Sequence, residues 1–133
     1  MTDLLGGQIP AYFGNSVSVM PQVKAGKVRA IAVTSAQRLP AMDKVPTVAE
    51  QGFPGFEAST WLGLVGPAGM PADAVSLLNK EVVSMLGRKD VQDRLSLEGS
   101  IPAPGSPQQF AALIKAEHAK WGGLIREASI KLD

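Results

Sequence analysis

Few residues in this chain have the type and spacing to do chemistry. The single histidine, His118, stands next to Glu117 on a long helical pattern. A Glu–His pair could serve a metal site or acid–base catalysis. Adjacent helical residues diverge, however, and no second histidine joins them, so an exposed or partly buried surface residue is expected. One distant histidine also gives no Ser–His–Asp set. The 133 residues contain no cysteine, which excludes disulfides, cysteine–zinc sites and thiol catalysis. Gly6-Gly7 and the Gly66 to Gly69 stretch form neither a dinucleotide fingerprint nor a P-loop. The sequence therefore predicts no enzyme, no cofactor and no metal.

Anion recognition is the remaining chemistry. Phe13-Gly14-Asn15-Ser16 sits where a short strand pattern gives way to a helix. A helix N-terminus presents unpaired N–H donors and a partial positive charge. The turn reads either as a plain cap by Asn15 or Ser16 or as one half of an anion pocket. Thr34-Ser35 ends an apolar run. The carboxyl ends of parallel strands are where open α/β sheets hold ligands, although hydroxyls there more often satisfy a turn. Trp61 and Trp121 lie in apolar patterns, where aromatic rings usually pack.

The elements that would position these residues are marked off by 14 glycines and 10 prolines. Residues 2–7 read as a helix end stopped by Gly6-Gly7, and Ile9 to Phe13 as a short strand. A helix from Asn15 or Ser16 to Gly26 must either kink at Pro21 or begin there. Val28 to Thr34 is almost wholly apolar and rich in β-branched residues, as in a strand buried on both faces. Together these segments make a βαβ unit. After a turn-rich loop, Thr47-Val48-Ala49-Glu50 is a capping box, and Phe56 to Val65 is a further strand candidate. Val75, Leu78, Val82, Met85 and Leu86 form a helical stripe. Asp90 is placed to cap another helix that ends at Gly99. Ser106-Pro107-Gln108-Gln109 opens the last helix. The strands make a thin sheet for so many helices, so part of the sheet is expected to come from elsewhere.

Composition narrows the partners. Thirteen Lys plus Arg face twelve Asp plus Glu, and the basic residues are scattered. Aromatics are only 5%. Neither feature suits a nucleic-acid surface. No apolar run approaches the ~20 residues of a membrane span. Met1-Thr2-Asp3-Leu4 lacks the basic and apolar regions of a signal peptide.

Several segments in order resemble the Bug (TctC-like) family of periplasmic solute-binding proteins of tripartite tricarboxylate transporters. They are Leu4-Leu5-Gly6-Gly7-Gln8-Ile9, Val23-Lys24-Ala25-Gly26-Lys27-Val28-Arg29-Ala30-Ile31-Ala32-Val33-Thr34-Ser35, Pro46-Thr47-Val48-Ala49-Glu50-Gln51-Gly52-Phe53-Pro54-Gly55-Phe56-Glu57 and Trp61-Leu62-Gly63-Leu64-Val65-Gly66-Pro67-Ala68-Gly69-Met70-Pro71. Pro10 stands where that family carries an Asp. Gly14 replaces the Asp of its Phe-Asp-Asn turn.

The resemblance implies the C-terminal part of a type II, flytrap-like α/β fold: a βαβ unit followed by covering helices. On that mapping 1–57 belongs to the second lobe, 58–67 crosses back, and 68–133 packs on the first lobe. It further implies a periplasmic, non-enzymatic binder of a small organic carboxylate that delivers its solute to membrane permease subunits. Phe13, Gly14, Asn15, Ser16, Thr34, Ser35 and Trp61 would line its cleft. The Gly14 departure argues against amino-acid ligands. The alternative expectation is a truncated, non-binding module that folds as an obligate homo-oligomer, a homodimer in the simplest case, with domain swapping as one route to it.

Overall fold

The computed structural model describes residues 1–131. Five helices carry the chain: α1 (Thr2–Leu5), α2 (Ser16–Lys24), α3 (Ala72–Leu86), α4 (Lys89–Leu97) and α5 (Pro107–Glu127). Two 3-10 turns, Pro40–Met42 and Ala49–Gln51, lie between α2 and α3. The residues group into two compact units. The first holds Met1–Leu62 with Leu86–Pro102, and the second holds Gly63–Met85 with the chain from Ala103 on.

The helix ends follow from backbone bookkeeping. The last carbonyls of a helix lack intrahelical donors. Four of the five helices satisfy them with the same pair of bonds, Schellman fashion. At α2, Gly26 donates to the carbonyl of Val23 and Lys27 to that of Gln22, both at 3.0 Å. The turning residue has positive φ in every case: Gly7, Gly26 and Gly99 close α1, α2 and α4, while Ser129 closes α5 at φ 52°. At its start α5 carries a complete capping box. Ser106 Oγ accepts from the Gln109 amide at 3.2 Å, and Gln109 Oε1 accepts from the Ser106 amide at 2.8 Å.

Helix α2 runs through Pro21 rather than starting there. Because Pro21 has no N–H, the Val17 carbonyl four residues back receives no bond from it. Asp90 does not cap α4, a correction to the expected role. The helix begins at Lys89, and the Asp90 carboxylate pairs with Arg88 at 2.7 Å. A bidentate guanidinium outcompetes a cap for the same oxygens.

The expected strands are corrected too. Among the described residues the one β pairing is a parallel bridge between Val33 and Thr47. The Val33 amide donates to the Pro46 carbonyl, and the Val48 amide donates to the Val33 carbonyl, both at 2.9 Å. Residues 9–13 and 56–65 form no ladder. A strand exists only when a second chain segment takes its polar groups, and only 46–48 and Ala58 do so here.

The first unit is held by a small core. Met20 and Val33 are its buried apolar side chains, with Thr47 the buried polar one. Gly99 is buried beside them: a Cβ there would stand 3.0 Å from both Met20 Cε and Ser16 Cβ, so α4's terminal turn closes on α2. In the second unit the Phe110 ring lies on the backbone of Gly63, and Met70 Sδ lies on Gly66. Large apolar side chains remain exposed in both units. Phe13, Ile31 and Leu62 are among them in the first, and Val65, Leu77 and Ile125 in the second.

Candidate functional site

The turn before α2 is built around Asn15. Its backbone is extended (φ −67°, ψ 137°), and its Oδ1 accepts from the Val17 amide at 3.2 Å. Its carbonyl accepts from the amides of Ser18 and Val19 at 3.0 and 3.1 Å. The Ser18 hydroxyl adds a bond to the same carbonyl at 2.8 Å. The cap expected at Asn15 is therefore present. What it leaves over is the Asn15 Nδ2 group and the amide and hydroxyl of Ser16, none with a hydrogen-bond partner among the described residues. These are donors at the positive end of a helix.

Around them, Phe13 is 87% exposed and Ser16 is half-buried. Tyr12 folds over Gly14: a side chain at position 14 would overlap the Tyr12 ring and come within 2.5 Å of Val19 Cγ2. No charged residue occurs between Asp3 and Lys24. The stretch that carries the donors therefore brings no carboxylate of its own.

Thr34 and Ser35, both half-buried, are occupied by the fold. The Thr34 carbonyl accepts from the Ala58 amide at 2.8 Å, and the Ser35 hydroxyl donates to the Gln37 carbonyl at 2.7 Å. No hydrogen bond joins either residue to the 13–16 turn. Trp61 belongs to the same unit and is 40% exposed. The seven expected site residues thus share one unit, and the structure joins 13–16 as one local turn.

A feature not foreseen from the sequence is a hollow of about 630 Å³, widely open to solvent, in the first unit. Val23, Gly26, Val28, Ala30 and Val45 line it with the cations Lys27 and Arg29. Its only sequence signal is the pair of basic residues flanking Val28.

Other polar groups have structural employment. Arg38 Nε donates to both oxygens of Glu50, and Nη1 donates to the Asp43 carbonyl. The Arg38 bond, then the Thr47 amide, holds the Glu50 carboxyl below its ordinary range. Arg88 does the same for Asp90. Glu117 turns to Trp121, accepting from its indole Nε1–H at 2.7 Å, while His118 is exposed. Among the described residues no group of three acidic, cysteine or histidine side chains could hold a metal, and no helix is long and apolar enough to cross a membrane.

The chain is similar to known proteins along nearly its whole length. The family described as "Tripartite tricarboxylate transporter family receptor" matches residues 1–130. Protein BugT of Bordetella pertussis is 34% identical over 132 residues, 99% of this chain and 40% of its own length. Among solved structures, "R. palustris Rpa4515 with adipate" superposes with a TM-score of 0.87 at 35% identity, covering 97% of this chain and 43% of that one. "MatC (Rpa3494) from Rhodopseudomonas palustris with bound malate" superposes at 0.77 with 32% identity, over 93% of this chain and 43% of that one. The chain spans about two fifths of the length of these relatives.

Proposed function

Because the chain belongs to the tripartite tricarboxylate transporter receptor family, we propose that it contributes the α2 half of a binding site for a small organic carboxylate. The family consists of solute receptors rather than enzymes, and the fold is that of the matching part of periplasmic binding proteins. The observation that carries the proposal is the donor set left open at Asn15 and Ser16, on a helix N-terminus whose own stretch of chain, from residue 4 to residue 23, has no charged residue. A carboxylate satisfies such donors with charge-assisted bonds.

In this reading Phe13 and Trp61 flank the solute, while Gly14, Thr34 and Ser35 shape the cleft. On the same reading residues 1–57 lie in one lobe together with α4, residues 58–67 cross between lobes, and α3 and α5 belong to the other. The receptor works in the periplasm and passes its solute to the membrane subunits of the transporter. Solutes of the adipate and malate kind, seen on the relatives, are the first to try. A ligand that binds only the native state stabilises it by about 2.7 kcal/mol at a hundredfold excess over Kd. Thermal melts with adipate and malate should therefore rise in the wild type and fail to rise in an Asn15→Ala/Ser16→Ala variant. No rise in the wild type at millimolar solute would sink the proposal.

A second reading has its own observation. Among the described residues only Met20, Val33, Thr47 and Gly99 are buried, a small core against the chain entropy it must offset. In this reading the chain is a non-binding module that folds as an obligate homo-oligomer. Light scattering separates the two readings: a monomer that answers to carboxylates supports the first, and a dimer indifferent to them supports the second.

A further inference from the structure

Ser16, Met20 and Lys24 lie one turn apart along one face of α2, and all three lie against the end of α4. The Leu97 carbonyl, among the last of α4, accepts from Lys24 Nζ at 3.3 Å, which sets a cation at the negative end of that helix. Gly99 then turns the chain away at φ 72°. Its amide bonds to the Ser96 carbonyl at 3.0 Å, and the Ser100 amide bonds to the Leu95 carbonyl at 2.9 Å. Gly99 is buried, and the space a Cβ would take is bounded by Met20 Cε and Ser16 Cβ at 3.0 Å and Ser16 Oγ at 3.4 Å. Both helices belong to the first unit, so the contact lies wholly within this chain.

The neighbours of Gly99 differ in how they can yield. Met20 Cε ends a flexible side chain and can swing aside. Ser16 Cβ is fixed to the backbone and moves only if the first turn of α2 moves. That turn carries the Ser16 amide and hydroxyl and directly follows the Asn15 cap. Donors bind an anion well only when they are held in place before it arrives. A second glycine isolates this effect. Gly26 closes α2 with the same kind of turn at φ 68°, and a Cβ there would meet nothing within 4 Å. Both glycines answer the same backbone demand, and Gly99 alone of the two has a helix start against it.

We propose that Gly99 is a positioning residue: the bare backbone of α4's terminal turn is the seat that sets where the Asn15 and Ser16 donors stand, and with them the affinity for a carboxylate. The inference rests on the α2 reading of the binding site. It adds to that reading a residue from the other half of the sequence that acts only through Ser16.

The test is a matched pair of variants and a rescue in the full chain, titrated with adipate and with malate at temperatures where each protein is folded. Gly99→Ala and Gly26→Ala both put a Cβ on a residue of positive φ, and both should lower the melting temperature. Gly99→Ala should also weaken solute binding about tenfold, the scale of one lost hydrogen bond to a charged group. Gly26→Ala should leave the affinity unchanged. Ser16→Gly clears the Cβ facing position 99, so adding Gly99→Ala in that background should weaken binding by less than about twofold. Should Gly99→Ala fail to fold, the wild type decides by hydrogen exchange. Bound solute should slow the Gly99 and Ser100 amides more than the Gly26 and Lys27 amides, and equal slowing overturns the inference. A wild type that binds, with equal affinity in Gly99→Ala and Gly26→Ala, overturns the inference and leaves the site reading standing. A wild type that binds neither solute overturns both.

Discussion

Arg38 holds Glu50 across twelve residues of sequence, its Nε 2.9 and 3.1 Å from the two carboxylate oxygens. The same carboxylate accepts from the Thr47 amide at 2.7 Å, and the Thr47 hydroxyl accepts from the Glu50 amide at 3.1 Å. The guanidinium also reaches the Asp43 carbonyl. One acidic residue therefore fastens the loop that returns Thr47 to Val33. Glu50→Gln should lower the melting temperature, and Arg38→Lys should lower it as well, because an ammonium cannot reproduce the fork. If the melting temperature of both variants equals that of the wild type, the clasp is a bystander.

The same clasp gives a pH signature. Glu50 is held below the usual carboxylate range, first by the Arg38 bond and then by the Thr47 amide. A depressed folded-state value means that stability is fully present above the unfolded value of about 4.3 and is lost as pH falls through the lower, folded value. Asp90, depressed by Arg88, acts in the same direction. Melts from pH 7 to pH 2.5 should show the wild type losing its advantage over Glu50→Gln only below about pH 4.3. An advantage that already fades between pH 7 and 5 would contradict this assignment.

Local chemistry was legible in the sequence and long-range pairing was not. The boxes at Thr47–Glu50 and Ser106–Gln109 and the stops at Gly26 and Gly99 each need only three to six neighbouring residues, and all four form. The cap at Asn15 was legible for the same reason. Residues 9–13 and 56–65 have the apolar content of strands, but that content gives only the capacity to pair. Pairing depends on a partner at a distance, which no local pattern specifies. Asp90 went astray because Arg88, two residues back, competes for its oxygens. The hollow at Lys27 and Arg29 was missed because its wall at Val45 is distant in sequence.

Gly63 and Phe110 illustrate a contact that spacing cannot foretell. A Cβ at position 63 would overlap the Phe110 ring, with Cε2 and Cε1 only 2.7 and 2.8 Å away. Gly63→Ala should destabilise the protein by about 1–2 kcal/mol, because the ring must leave its seat. In a Phe110→Ala background the same change should cost almost nothing. Denaturant melts of the four proteins in the cycle measure the coupling. Additive effects would show that the contact does not form.

Ser129 closes α5 in a conformation that three glycines provide elsewhere in the chain, at φ 52°. A Cβ in that region is strained by roughly 1–2 kcal/mol. Glycine removes the strain but adds freedom to the unfolded chain. Ser129→Gly should therefore stabilise by roughly 0.5 kcal/mol net, and Ser129→Val should destabilise. Hydrogen exchange at the Ser129 and Ile130 amides reads the effect locally, since these groups bond to the Arg126 and Ile125 carbonyls. Faster exchange in the glycine variant would refute the strain argument.

Gly14 and Tyr12 carry the last prediction, which joins packing to solute choice. Any side chain at position 14 must displace the Tyr12 ring and press on Val19. Gly14→Asp alone should thus lower stability, and Tyr12→Ala should restore much of it by clearing the space. The φ of Gly14 is not positive, so the backbone itself does not bar the change. The double variant would also place the first negative charge between Asp3 and Lys24, beside the Asn15 and Ser16 donors. A carboxylate there repels a purely anionic solute and pairs with an ammonium. Titration with malate and aspartate, which differ in a hydroxyl against an ammonium, reads the outcome. The wild type should favour malate and the double variant should move toward aspartate by tenfold or more. A wild type that binds malate and a double variant with unchanged preference would place position 14 outside the solute's reach.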